Sequence, residues 1–99
     1  MMRRAVSSAR PLGETLEELV EKLGIKRKLQ EYEAVERWGD IVGQQIARVT
    51  SATGITKGVL FVRVRASTWR NELTMRKEEI IRKLNHVLGE EIVKDIRFH

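Results

Sequence analysis

The sequence predicts a two-layer α+β domain, with a small three-stranded sheet covered by helices on one face. Three observations predict it. Residues 60–66 alternate strictly, with Leu60, Val62, Val64 and Ala66 on one side and Phe61, Arg63 and Arg65 on the other, the period of a strand with one buried and one wet face. Immediately after Ser67 and Thr68 the period changes to that of a helix. Two more apolar helical stripes precede the strands and a short alternating segment closes the chain, giving the order α-α-β-β-α-β. A three-stranded sheet must cover its apolar face, and every helix carries an apolar stripe, so the helices share that face. Phe61, Arg63 and Arg65 are left on the other.

Residues 1–12 show no apolar period but carry three arginines, two serines and a proline. They read as a disordered basic arm ahead of a domain at 13–99. The first helix is announced by Thr15 with Glu18 three residues later, a capping-box pattern. Leu16, Leu19, Val20 and Leu23 form its stripe, and Gly24 falls where a left-handed residue ends a helix, with Ile25 as its hydrophobic partner. A second helix starts near Lys26, where Leu29, Tyr32 and Val35 continue the buried stripe to Trp38, so that Tyr32 and Trp38 read as core. Gly39 costs about 1 kcal/mol relative to Ala inside a helix, and Asp40 can cap a new one. A break or kink is therefore expected near Gly39, followed by a short helix carrying Ile41, Val42, Ile46 and Ala47. Gly43 within it is read as a point of close backbone contact.

Val49–Thr56 is rich in β-branched residues and polar, as an edge strand would be. Lys57-Gly58 fills the two-residue slot of a hairpin, and Val59–Ala66 is the second arm. One long helix follows, with Ser67 or Thr68 as its cap and Trp69, Leu73, Ile80, Leu84 and Val87 on its stripe, joined by Ile81 and Leu88. Gly89 ends it. Ile92, Ile96 and Phe98 then alternate with Val93, Asp95 and Arg97 in a last strand, a register that places Lys94 on the apolar face.

An apolar content of 41% with 33% charged residues fits a globular domain. No apolar run approaches the ~20 residues of a membrane span. The chain has no cysteine, which excludes disulfides and thiolate metal sites and suits a reducing cytoplasm. The net charge of +5 is unevenly spread. Residues 14–47 hold five basic and eight acidic groups, whereas residues 48–77 hold seven basic groups against Glu72 alone. A one-sided basic surface is the electrostatic footprint of a nucleic-acid binder.

Catalysis finds little support. His86 and His99 stand at a helix end and at the last position, with no paired carboxylate at metal-ligand spacing. Glu78-Glu79 and Glu90-Glu91 are adjacent pairs, which on a helix point in different directions. No phosphate-binding or nucleophile-elbow motif is present, so no enzyme, cofactor or metal site is expected. Binding has better candidates. Phe61 interleaved with Arg63 and Arg65 can stack a base while guanidinium groups hold phosphates. Arg48, Lys57, Arg70, Arg76 and Lys77 complete the basic segment. Trp69 is read either as a core or interface anchor or as a second stacking surface.

The pattern Trp38…Ile41-Val42-Gly43…Ile46-Ala47…Gly58-Val59-Leu60-Phe61-Val62…Ser67-Thr68-Trp69…Glu72-Leu73…Leu84-Asn85…Gly89…Ile96-Arg97-Phe98 resembles domain-of-unknown-function family 721. That family includes the DciA-type operators or loaders of the bacterial replicative DnaB-type helicase. The resemblance covers about residues 14–98. It implies a KH-like α+β domain, a role in DNA replication, affinity for DNA (read as single-stranded), and contact with the DnaB-type helicase, and it directs attention to Trp69 as a partner-binding residue. The chain has no GxxG loop, so nucleic acid is not expected to be gripped as KH domains grip RNA. Two other readings remain open: a protein-interaction module that self-associates as a homodimer through its open sheet face and edge strand, and a KH-like RNA binder.

Overall fold

The computed structural model describes residues 15–22 and 24–99, the side chains of 20–22 excepted. The expected basic arm and Leu23 lie outside the described residues. The elements are α1 (Leu16–Lys22), α2 (Ile25–Val42), α3 (Gln44–Ala47), β1 (Thr50–Thr56), β2 (Val59–Val64), α4 (Ser67–Met75), α5 (Lys77–Leu88) and β3 (Asp95–Phe98). The strands lie in the order β1-β2-β3, with β1 antiparallel and β3 parallel to β2. The α+β architecture expected from the sequence is the one observed, and β2 is its centre.

Alternation along β2 decides which face is which. Leu60, Val62 and Val64 are buried while Arg63 and Arg65 are exposed. The buried set meets Trp38 of α2, Ile46 of α3, Leu73 of α4, Ile80, Leu84 and Leu88 of α5, and Ile96 of β3 in one core. Burying each large aliphatic side chain contributes roughly 1.5–3 kcal/mol, so this single face holds most of the hydrophobic stabilisation. Trp38 is oriented by a polar relay: its indole N–H donates to Thr50 Oγ1 (2.9 Å) and the threonine hydroxyl donates to the Ile46 carbonyl (2.8 Å). Both polar groups are thus satisfied inside the core. Phe98 stands against the Trp38 ring at 6.4 Å between centroids.

The hairpin turn fixes the sheet at its other end. Lys57 and Gly58 both have positive φ (52° and 82°), the conformation whose twist matches that of the flanking strands. The buried Gly58 carbonyl accepts from the Lys94 amide at 2.8 Å and the Asp95 amide at 3.3 Å, docking the start of β3 onto the turn. A side chain at Gly58 would meet the Lys94 stem at 3.2 Å. That stem explains the Lys94 anomaly. Residues 90–94 are not strand, so the alternation begins at Asp95 and Lys94 lies exposed across the turn. Asn85 replaces the ladder that Ile92 and Val93 lack: its Oδ1 accepts from both amides (3.0 and 2.9 Å) and its Nδ2 donates to the Val93 carbonyl (2.9 Å).

The capping box of α1 forms as expected, with the Thr15 amide donating to Glu18 Oε1 and the Glu18 amide to Thr15 Oγ1. Other expectations are corrected. α2 runs unbroken through Gly39, and the break falls at Gly43, with φ 92° and ψ 161°. A Cβ at Gly43 would meet nothing within 4 Å, so its role is conformational and not a close contact. The expected single long helix is two, α4 and α5, joined at Arg76 (φ −96°, ψ 4°), whose amide is shared between the Glu72 and Leu73 carbonyls. Leu29 and Tyr32 are exposed, at 60% and 65%, so Tyr32 is not core. Leu16, Leu19 and Ile25 are exposed as well.

The two glycines of α2 make a direct test. Gly39→Ala adds a Cβ only 3.6 Å from that of Ala47, an ordinary contact, and should stabilise by about 0.5–1 kcal/mol by removing a helical glycine. Gly43→Ala forces a side chain into a backbone region used almost only by glycine and should cost on the order of 1–3 kcal/mol. Urea denaturation measures both; equal effects of the same sign would contradict the assigned joint.

Candidate nucleic-acid interface

The sheet face away from the helices is read from the register. Val59, Phe61 and Arg63 project from β2, and Arg65 follows just beyond its end. Thr56, Gly54 and Ser51 stand beside the first three on β1, and Asp95 and Arg97 stand beside Val59 and Phe61 on β3. His99 continues that row next to Arg63, since its amide donates to the Val62 carbonyl (2.9 Å) and its carbonyl accepts from Val64 (2.7 Å). Phe61 is half-buried and belongs to this outer face.

The basic residues singled out by sequence fall into three states. Arg65 lies across β1, donating to Ser51 Oγ (2.8 Å) and to the Arg48 and Thr50 carbonyls (2.9 and 3.3 Å). Its guanidinium is fixed in place at the exposed end of the hairpin, beside Arg48. Arg48, Lys57 and Arg63 are exposed and have no ion-pair partner among the described residues. Arg70 reaches back from α4 to the Val64 carbonyl at 3.5 Å, the outer limit of a hydrogen bond. Arg76 and Lys77 are already engaged, Arg76 with Glu72 (2.7 Å) and Lys77 with Asp95 (3.0 Å). The fold therefore brings Arg48, Arg63, Arg65 and Arg70 towards one end of the sheet, with Phe61 at the middle of the open face. Lys57 sits at the opposite tip, and Arg76 and Lys77 sit at the joint between α4 and α5. Trp69 is half-buried and packs against the core.

Sequence reasoning left out Arg97. It lies beside Phe61 on the open face, exposed, with only a 3.8 Å contact to Asp95. Its signal was present in the alternation of β3, but parallel pairing to β2 is needed to place it. On the helical side an open groove between α2 and α5 is lined by Asp40, Ile41, Glu79, Arg82, His86 and Glu90, among others, a mixed-charge surface unsuited to a polyanion. Among the described residues no His, Cys, Asp and Glu cluster could hold a metal, and no described helix is long and apolar enough to cross a membrane.

A model of the protein family described as "Dna[CI] antecedent, DciA" matches residues 11–98. The chain is 29% identical over 87 residues to a UPF0232 protein of Rhodococcus jostii, covering 88% of this chain and 46% of that protein. It is 26% identical over 92 residues to a UPF0232 protein of Mycobacterium tuberculosis, covering 93% of this chain and 49% of that one. A UPF0232 protein of Mycolicibacterium smegmatis matches at 28% over 86 residues, with 87% and 44% covered. The chain thus spans about half the length of these relatives.

The acidic corner of the face carries a pH prediction. The Lys77 ammonium, the Ile96 amide and Arg97 hold the Asp95 carboxyl below the ordinary carboxylate range. A depressed folded-state pKa gives stability that is complete above the unfolded value and lost as pH falls through the folded one. Asp95→Asn should therefore lower stability modestly at neutral pH and flatten this part of the acid limb. Denaturant midpoints measured from neutral pH down into acid check this; an unchanged acid limb would contradict it.

Proposed function

The chain belongs to the DciA family, and on that premise we propose that it is a DNA-binding adaptor domain for a DnaB-type replicative helicase. The reading joins family membership to one observation: the open face of the sheet sets an aromatic, Phe61, near Arg63 and Arg65, which have no acidic partner among the described residues, and beside Arg97, whose acidic contact, Asp95, stands at 3.8 Å. Charge of one sign on an exposed, rigid strand is what a phosphate backbone requires. An aromatic between those charges supplies a surface for a base. The KH-like description fits a small sheet backed by helices, although the ligand would here lie on the sheet and not at a GxxG loop. In this reading the domain acts by holding its partners together.

The helicase-facing side is proposed from exposed apolar residues. Leu29 and Tyr32 project from α2 on the side away from the core, with Ile25 below them and Leu16 and Leu19 on α1. Ile25, Leu29 and Tyr32 recur at helical spacing on α2; an exposed apolar stripe of this kind marks protein contact sites, and tyrosine is a frequent anchor in them. Trp69, by contrast, packs against the core, so its effect on a partner would pass through the head of α4. The competing reading, a self-associating module with no nucleic-acid role, would instead use the open sheet face and edge strand, with Phe61 as its anchor.

Three measurements separate these readings. Single-stranded DNA should bind with an affinity that falls steeply with salt; removing two phosphate contacts with Arg63→Gln and Arg97→Gln should flatten the log–log slope by roughly 1.4. Arg63, Arg65 and Arg70 together changed to Glu should abolish binding; because Arg65 also ties the hairpin to β1, circular dichroism checks that the domain stays folded, and Arg63→Glu with Arg70→Glu, which leaves that tie intact, should weaken binding in the same direction. Affinity that ignores salt and both variants would remove the DNA assignment. In capture of purified DnaB-type helicase, Leu29→Ser with Tyr32→Ser should lose the complex at unchanged thermal stability, whereas Trp69→Ala should lower stability and capture together. Light scattering that showed a dimer dissociated by Phe61→Ser, with helicase capture intact, would favour the self-associating module.

A further inference from the structure

The middle of the open face holds a vacancy beside its aromatic. Gly54 and Phe61 are cross-strand partners, in register after the irregularity that separates Ala52 from Gly54. A strand glycine opposite an aromatic is ordinarily covered by the ring, which compensates for the missing side chain. That has not happened here: a Cβ built on Gly54 would meet no atom within 4 Å. The floor beside Phe61 is therefore open backbone. It is also fixed, because Thr53 at the irregularity donates its hydroxyl to the Phe61 carbonyl (3.2 Å) and so is not free to swing over Gly54. On the far side of Phe61 stands Arg97, and two residues along the strand stands the unpaired Arg63.

We infer that the Gly54–Phe61 step is a stacking subsite for one unpaired nucleobase, with the flanking phosphates on Arg63 and Arg97. This rests on the DNA-binding reading above and narrows it. A base can lie flat on a ring only if its own face is free, so the subsite commits the ligand to single strands over duplex. The slot offers an apolar ring and a glycine, with the donor of the neighbouring Thr53 hydroxyl committed to the Phe61 carbonyl, so stacking dominates over contacts to a base edge. The subsite takes bases without distinguishing sequence.

The test compares a thymidine oligonucleotide with an abasic sugar-phosphate strand of equal length and charge, and with a duplex, by fluorescence anisotropy. The wild-type chain should prefer the thymidine strand by about fivefold or more, and prefer it over duplex. Phe61→Leu, which removes the ring, and Gly54→Val, which fills the slot with a residue suited to a strand, should each bring the preference over the abasic strand close to one. The salt dependence should persist in both. Equal wild-type affinity for the two strands, with normal salt dependence, would overturn the subsite and leave the DNA-binding reading standing; that comparison needs no variant to fold. Binding to neither strand would overturn both. A preference that survives Phe61→Leu would also overturn the assignment.

Discussion

The structure depends on the two-sidedness of β2. Leu60, Val62 and Val64 enter a core to which four helices and both neighbouring strands contribute, and the pleat then leaves Phe61, Arg63 and Arg65 no other place than the opposite face. A slip of one residue would exchange the sets, burying two guanidinium groups and exposing three aliphatic side chains. Burying even one unpaired charge is far more costly than the stacking of a small domain can offset. Register is therefore held tightly, by the left-handed Lys57-Gly58 turn at one end and by Arg65 lying across β1 at the other. The same forces that stabilise the core place the basic groups.

Charge on this molecule is divided by its surroundings more than by sequence position. Arg76 and Lys77 sit in the same basic segment as Arg63, yet each has an acidic neighbour at the joint between α4 and α5. Exposed pairs of that kind are individually weak, but they lower the local field that a polyanion would meet. Arg63 and Arg48 keep their field because neither has an ion-pair partner among the described residues. The helical side is different again, with acidic and basic residues alternating along the groove between α2 and α5.

Much of this was legible in the sequence where local chemistry sets the outcome. The Thr15–Glu18 capping box, the Lys57-Gly58 turn and the alternation of β2 need only neighbouring residues, and each stands where the pattern put it. Errors arose where tertiary contacts decide. Gly39 looked like the weaker helical position, but the break needs a conformation that Gly43 adopts here, while Gly39 keeps helical geometry within α2. The stripe of α4 stays in phase with that of α5, from Leu73 to Ile80, so no period betrays the interruption at Arg76. Tyr32 lies two residues from the buried Ala34, hence on the far side of a helix with 3.6 residues per turn. A small alanine at the centre of the buried face gave too faint a signal to show this. Arg97 and Asn85 act through partners distant in sequence, and only parallel pairing of β3 with β2 and the packing of α5 bring them into place.

The central claim is that the ligand lies on the open sheet face, and mapping backbone amide shifts by two-dimensional NMR during titration with a single-stranded oligonucleotide tests it most directly. The account predicts that the resonances of Ser51, Gly54, Phe61, Arg63 and Arg97 move together and saturate together, while those along the groove between α2 and α5 stay still. Shifts concentrated on Ile41, Arg82 and His86, with the sheet unchanged, would contradict it.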